Sequence, residues 1–196
     1  MATKKSKPKA KTKASASSKK YGTLHELLIL KLQSLYDIEQ ELTKALPKLA
    51  KAATSYELRE AFEMHLRETE VQVRRLEEAM QLLDVNPRKE KVAGIRGIAE
   101  DGSWVAGHVT PEARDAALIA AAQYAEHYEI AGYTSAREWA AMMDHQGVTD
   151  LLDATLIEEK NASSKLAELA HNGINQRAGG IPMEDAPVEE EEIALM

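Results

Sequence analysis

Between residues 23 and 53, large apolar residues return at alternating steps of four and three: Leu28, Leu32, Leu35, Leu42, Leu46 and Leu49, with Glu39 in the place where a leucine is due. That rhythm keeps one side of an α-helix against a core along its whole length. Pro47 lacks an amide hydrogen and crowds the carbonyl four residues earlier, so the last turn of this helix is expected to kink. From 55 to 84 the stripe continues as Leu58, Phe62, His65, Thr69, Gln72, Leu76, Ala79 and Leu83, polar in its middle. Thr54 with Glu57 has the form of a capping box at its start, and Asn86-Pro87 closes it.

A third stripe, expected over 111 to 145, runs Leu118, Ala122, Ala125, Glu129, Gly132, Ala136, Trp139 and Met143, with Glu126 on its flank. Thr110 and Pro111 supply its N-cap and first-turn proline. The fourth, over 149 to 172, runs Leu152, Thr155, Glu159, Ala162, Leu166 and Leu169. Gly147 closes the turn before it, Thr149 is placed to cap it, and Asn172-Gly173 stops it. Residues 86 to 109 hold Gly94, Gly97, Gly102 and Gly107 and show no sustained period. That is too long for a hairpin between antiparallel helices and suits a crossover, with room for one short extra helix. The expected fold is all-α: a four-helix bundle with one long crossover between helices 2 and 3.

Composition agrees. Hydrophobic residues make up 44% of the chain and aromatics 5%, with alanine and leucine where a sheet protein would carry β-branched and aromatic residues. Cysteine is absent, which removes disulfides, cysteine-ligated metals and cysteine nucleophiles and fits a reducing compartment. No apolar run reaches the roughly 20 residues that cross a membrane, and no apolar signal segment opens the chain, so the expected location is cytoplasmic.

The net charge of −7 is unevenly spread. Residues 1 to 20 hold eight lysines and no acid; residues 179 to 196 hold six acids and no base; the rest holds 17 basic against 26 acidic residues. Neither end has the apolar content to fold alone. The expected organisation is a disordered lysine-rich arm (1–20), a helical domain (21–175) and an acidic, disordered tail (176–196).

Each of the four helices places a carboxylate in or beside its inward stripe at mid-height: Glu39, Glu68, Glu126 with Glu129, and Glu159. In an up-and-down bundle the middles of all four helices meet in one layer. Carboxylates brought together out of water repel one another and lose hydration. Metal cations, basic partners, or shared protons with donors such as Tyr36, Tyr128 or His65 would compensate them. No Arg or Lys falls on the stripes near that level, and agreement among four helices favours divalent cations.

The segments "LYDIEQELTKALPKLAKAA", "AFEMHLRETEVQVRRLE", "RDAALIAAAQYAEHYEIAGY" and "LLDATLIEEK" resemble the YciE/YciF family of ferritin-like proteins, over roughly three quarters of the chain. The resemblance implies a ferritin-like four-helix bundle, often with a short extra helix, paired into a homodimer and associated with bacterial stress. The wider ferritin-like superfamily implies a di-iron or di-manganese site, whose acids match Glu39, Glu68, Glu126, Glu129 and Glu159. Its two histidines are replaced by Val71 and Ala162. His65 and Gln72, one turn either side of Glu68, are candidate substitutes; His127 points about 100° away from Glu126. An oxygen-rich set of this kind suits Mn, Mg or Ca better than a redox-poised iron pair.

Three functions follow. The first is a divalent-metal protein, with Fe or Mn, acting in metal sequestration or peroxide and oxygen detoxification. The second is a metal-free helical homodimer, in which His65 is a buried histidine bonded to a neighbouring Glu or Thr. The third is non-specific nucleic-acid binding through residues 1–20, which would be weak and salt-dependent without arginines or aromatics. Trp104 reads either as a lid over one end or as a dimer contact. Tyr124, Tyr128 and Tyr133 read as packing residues. No Ser/His/Asp set, phosphate-binding loop or dinucleotide-binding glycine pattern is present.

Overall fold

A computed structural model describes residues 20–180. The lysine-rich arm up to Lys19 and residues 181–196 of the acidic tail, both expected to be disordered, lie outside the described residues; the first residues of that expected tail, 176 to 178, are helical. Within them every regular element is helical: α1 (Leu24–Ala52), α2 (Tyr56–Leu82), α3 (Ala93–His108), α4 (Pro111–Met142), α5 (Gln146–Leu169) and, after a widened turn at Ala170–Ile174, the short α6 (Asn175–Ala178). No helix among these residues is long and apolar enough to cross a membrane.

The four long helices close a ring in which α1 packs on α2 and α4, and α5 packs on α4 and α2. Short connections make α1–α2 and α4–α5 antiparallel neighbours. That leaves α2 and α4 on opposite corners, so the chain between them has to travel along the assembly, which explains the length of the crossover. It carries more helix than the glycine-rich sequence suggested: α3 is 16 residues long and lies against α4 and α1. Its anchors are Ile95, fully buried, and Arg96, whose guanidinium donates to both carboxylate oxygens of the buried Asp37 at 2.8 and 3.0 Å.

The stripes face inward as their period requires. Leu28, Leu32 and Leu35 of α1, Leu58 and Leu76 of α2, Leu118 of α4 and Leu152 of α5 are buried to within 2%, each stabilising the fold by about 1.5–3 kcal/mol. The ring of His25 lies 5.8 Å from that of His145, and Gly147 lies against Leu82, which sets the start of α1, the end of α2 and the α4–α5 turn at one end. Apolar layers therefore lie above and below the mid-height of the ring.

The ends differ from the sequence expectation in three places. Ser55, not Thr54, caps α2, accepting from the Leu58 amide at 3.3 Å. Thr54 turns to Asp115 instead, donating through its amide (2.8 Å) and hydroxyl (2.6 Å). His145 stands at the N-cap of α5, and Thr149 lies inside it, bonded back to the His145 carbonyl at 3.1 Å. Pro47 lies within α1, which ends at Ala52, close to the end expected at about residue 53. The breaks after α2 and α4 are made by Asp84 and Asp144, with φ of 56° and 57°, ahead of the Asn86-Pro87 and Gly147 signals.

Candidate metal centre

Each acid reaches the middle of the ring because it occupies a position that otherwise carries leucine or alanine. Glu39 lies between Leu35 and Leu42 on α1, Glu129 between Ala125 and Gly132 on α4, and Glu159 between Thr155 and Leu166 on α5. Glu39, Glu129 and Glu159 are fully buried, Glu126 is 3% exposed and His65 6%. One nitrogen of His65 and one carboxylate oxygen from each of Glu126, Glu129 and Glu159 lie within 4.8 Å of one another. The imidazole Nε2 is 3.3 Å from Glu126 Oε1 and 3.8 Å from Glu159 Oε2.

Glu39 lies beside this group and accepts a short hydrogen bond from the hydroxyl of Tyr133. That tyrosine, read from sequence as packing, is fully buried. Its signal was its place one turn after Glu129 on the same face. Tyr36 and Tyr128, the expected donors, are used elsewhere: Tyr36 donates to Glu77 at 2.7 Å, and Tyr128 is partly exposed against Gly94 of α3.

Two other expected residues are set apart. Glu68 stands at the rim, its side chain 35% exposed, with Oε2 3.5 Å from His65 Nδ1. Gln72 is fully buried but turns its amide nitrogen to Glu158 at 3.1 Å, leaving its carbonyl oxygen buried without a donor. Glu158, missed in sequence because it lies off the stripe, is held by both arms of Arg75 at 2.5 and 2.8 Å. His127 is exposed, as its position predicts.

The electrostatics follow from this crowding. Burial pushes the Glu129 carboxyl well above the usual carboxylate range, and Glu39, Glu159 and Glu126 push it the same way. Glu159 is raised by burial and by Glu39, against the pull of His65. Glu39 is raised from 4.5 to about 7 by burial, with the Tyr133 hydroxyl and His65 opposing the shift. Burial, then Glu39, also drives the Tyr133 phenol upward. At His65 burial works against the imidazolium, but Glu126, Glu68 and Glu159 outweigh it and lift its pKa well above 6.5. Without a cation, this crowding thus favours the protonated forms of Glu39, Glu129, Glu159 and His65.

Six buried carboxylate oxygens, on Glu39, Glu126, Glu129 and Glu159, have no hydrogen-bond donor from the protein, and neither ring nitrogen of His65 has one. Among the described residues no Lys or Arg lies within ion-pair distance of these four acids. Buried polar groups are ordinarily satisfied, so this donor-poor set of four carboxylates and one imidazole fits a divalent cation.

The model of the domain of unknown function DUF892 matches residues 23–179. The chain belongs to the DUF892 family. This membership agrees with the resemblance read from the four quoted segments, since protein YciF of Escherichia coli K12 is 37% identical to this chain over 158 residues, 80% of this chain and 95% of YciF. The crystal structure of the E. coli stress protein YciF superposes with a TM-score of 0.76 at 36% identity, covering 80% of this chain and 99% of that one. YcfI of Rhodopseudomonas palustris gives 0.75 at 35% identity, over 78% and 98%. A protein of Xanthomonas campestris, at 21% identity and a TM-score of 0.62 over 81% and 98%, shares the fold.

Proposed function

We propose that this DUF892 protein is a stress-associated, ferritin-like four-helix bundle whose central layer holds a pair of divalent metal ions, Fe or Mn, for sequestration or for peroxide and oxygen detoxification. The observation that carries the reading is the set of six buried carboxylate oxygens without a protein donor. Glu39, Glu126, Glu129, Glu159 and His65 would hold the ions. A redox-active ion bound there would supply one-electron chemistry toward oxygen or peroxide.

The chain's own residues prepare the site. The apolar layers above and below exclude bulk water, which strengthens cation–carboxylate attraction. Tyr133 holds one oxygen of Glu39, so that its other oxygen is the one free to ligate. Arg75 and Gln72 retain Glu158 outside the layer. Cation binding would compete with protons at Glu39, Glu129, Glu159 and His65. The stress association rests on the likeness to YciF, whose crystal structure is described as that of a stress protein.

Elemental analysis of protein purified without added metal or chelator tests the reading. About two equivalents of Fe or Mn per chain are expected, lost in the double variant Glu39→Ala/Glu129→Ala. A protein that arrives metal-free and takes up neither Fe(II) nor Mn(II) would favour a hydrogen-bonded, metal-free layer. Pairing into a homodimer is part of the same reading, supported by the exposed Trp104 and Tyr124; light scattering of the full chain tests it.

A further inference from the structure

A cavity of about 340 Å³ opens between α2 and α5. At roughly 30 Å³ per water it has room for about ten water molecules, more than a hydrated divalent ion needs. Phe62 and Met64 of α2 and Ala162 and Leu166 of α5 form its walls, and two members of the central layer, His65 and Glu126, also line it. By contrast, the cavity between α1, α3 and α4, about 160 Å³, ends on Leu42, Ala122 and Ala125 and presents no atom of the layer.

His65 connects the outside to the inside. It is more than nine-tenths buried and neither ring nitrogen makes a hydrogen bond. Nδ1 faces the half-exposed Glu68 at 3.5 Å while Nε2 faces Glu126 at 3.3 Å and Glu159 at 3.8 Å. Glu168 also lines the opening and binds Lys165 at 3.0 Å, which leaves Glu68 at the rim and Glu126 further in as the carboxylates facing His65 along the cleft. A carboxylate beside a low-dielectric opening concentrates cations there.

We propose that the α2–α5 cleft is the port through which divalent cations reach the central layer, with Glu68 as a transfer carboxylate at its mouth that hands the ion past His65 to Glu126. The inference rests on the metal reading above and moves Glu68 from the ligand set to the entry path. Glu68 therefore governs the rate of loading and leaves the final occupancy alone.

Stopped-flow uptake of Mn(II) by the full chain, followed with a fluorescent chelator that reports free Mn(II), tests this beside equilibrium occupancy. Glu68→Gln should load about tenfold more slowly, to the same final stoichiometry and with a weaker dependence of rate on salt. Ala162→Trp, which fills the cleft, should also slow loading, and Glu60→Gln, on an exposed part of α2, should load like the wild type. Circular dichroism and thermal melts establish that each variant is folded. Wild-type loading rates in either Glu68→Gln or folded Ala162→Trp would overturn the port while leaving the metal site in place. A lower final occupancy in Glu68→Gln would make Glu68 a ligand and overturn its transfer role. Absence of any uptake by the wild type would overturn the metal reading and the port together.

Discussion

Tyr133 and Glu39 show how much a single buried contact carries in this layer. The phenol is fully buried and its hydroxyl donates to one oxygen of Glu39. Tyr133→Phe keeps the ring and removes that donor, leaving another carboxylate oxygen unsatisfied. In chelator-treated protein this change is expected to lower unfolding stability by about 1–3 kcal/mol in urea denaturation. The raised acids also set a pH dependence. Glu39, Glu129 and Glu159 bind more protons folded than unfolded, so their contribution to stability is fully present below the ordinary carboxylate value of 4.5. It is lost as pH rises through the folded values, about 7 for Glu39, with Glu129 and Glu159 raised in the same direction. His65, also raised, acts in the same direction, its contribution disappearing as pH climbs past its folded value. The urea midpoint of metal-free protein should therefore fall as pH rises from about 4.5 through about 7, the window set by Glu39, reversing the usual acid-side loss. On the proposed metal reading, Mn(II) would compete with protons for these groups and should flatten that decline. The acids at Glu39, Glu129 and Glu159 were legible in sequence because each interrupts an apolar series. Tyr133 was not, because an aromatic on an inward stripe is ordinarily packing.

Among the elements, α4 sets the spacing. A methyl group added at Gly132 would come within 2.9 Å of Leu35 Cδ2, so α1 and α4 approach as closely as they do because this position has no side chain. One turn away on the same faces, Glu129 and Glu39 meet. Gly132→Ala should therefore destabilise the fold by about 1–3 kcal/mol and lower equilibrium Mn(II) occupancy, since the two acids would move apart; a thermal melt and a binding titration check the two effects. At the other end of α4, Asp115 accepts from the Thr54 amide and hydroxyl and from the Ser55 amide at 2.8, 2.6 and 2.7 Å. It locks the α1–α2 turn onto the start of α4. Asp115→Ala strands those donors and should lower the urea midpoint by the equivalent of about 2–3 kcal/mol, with the central layer untouched. The helices themselves were predictable, since a period of 3.6 sustained over six to eight stripe positions admits no other element. Their ends were less so. A local capping pattern at Thr54 and Glu57 lost to a partner 61 positions away, and left-handed aspartates at 84 and 144 took the role that Asn and Gly usually fill.

For the whole molecule, the apolar layers at both ends stabilise the fold and the central layer opposes it. Replacing a buried charged set by apolar residues of similar volume commonly stabilises by about 1–4 kcal/mol. Glu39→Leu/Glu129→Leu should accordingly melt higher than the metal-free wild type. The wild type, in turn, should gain thermal stability on adding Mn(II), by an increment that grows with concentration, and the double variant should gain none. Calorimetric melts of both proteins, with chelator and with Mn(II), read these outcomes. The crossover belongs to this scale as well. Its length follows from α2 and α4 standing on diagonal corners of the ring, and its helix is held by partners on α1, namely Asp37 for Arg96.

What the sequence determined by itself was the periodic part: four long helices, the side each turns inward, and the mid-height acids on those sides. These follow from local geometry, because a helix places every third or fourth residue on one face whatever surrounds it. The tertiary structure alone decided which acids meet. Glu39, Glu126, Glu129 and Glu159 converge because the helices are in register around the ring. Glu68 does not, since at its position on α2 it is His65 that faces inward, three residues earlier. It also decided that Tyr133 serves Glu39 and that a cleft between α2 and α5 leads to His65. Those outcomes depend on rotation and spacing between helices far apart in the chain, set by packing at contacts such as Gly132 on Leu35, which no periodicity within a single helix records.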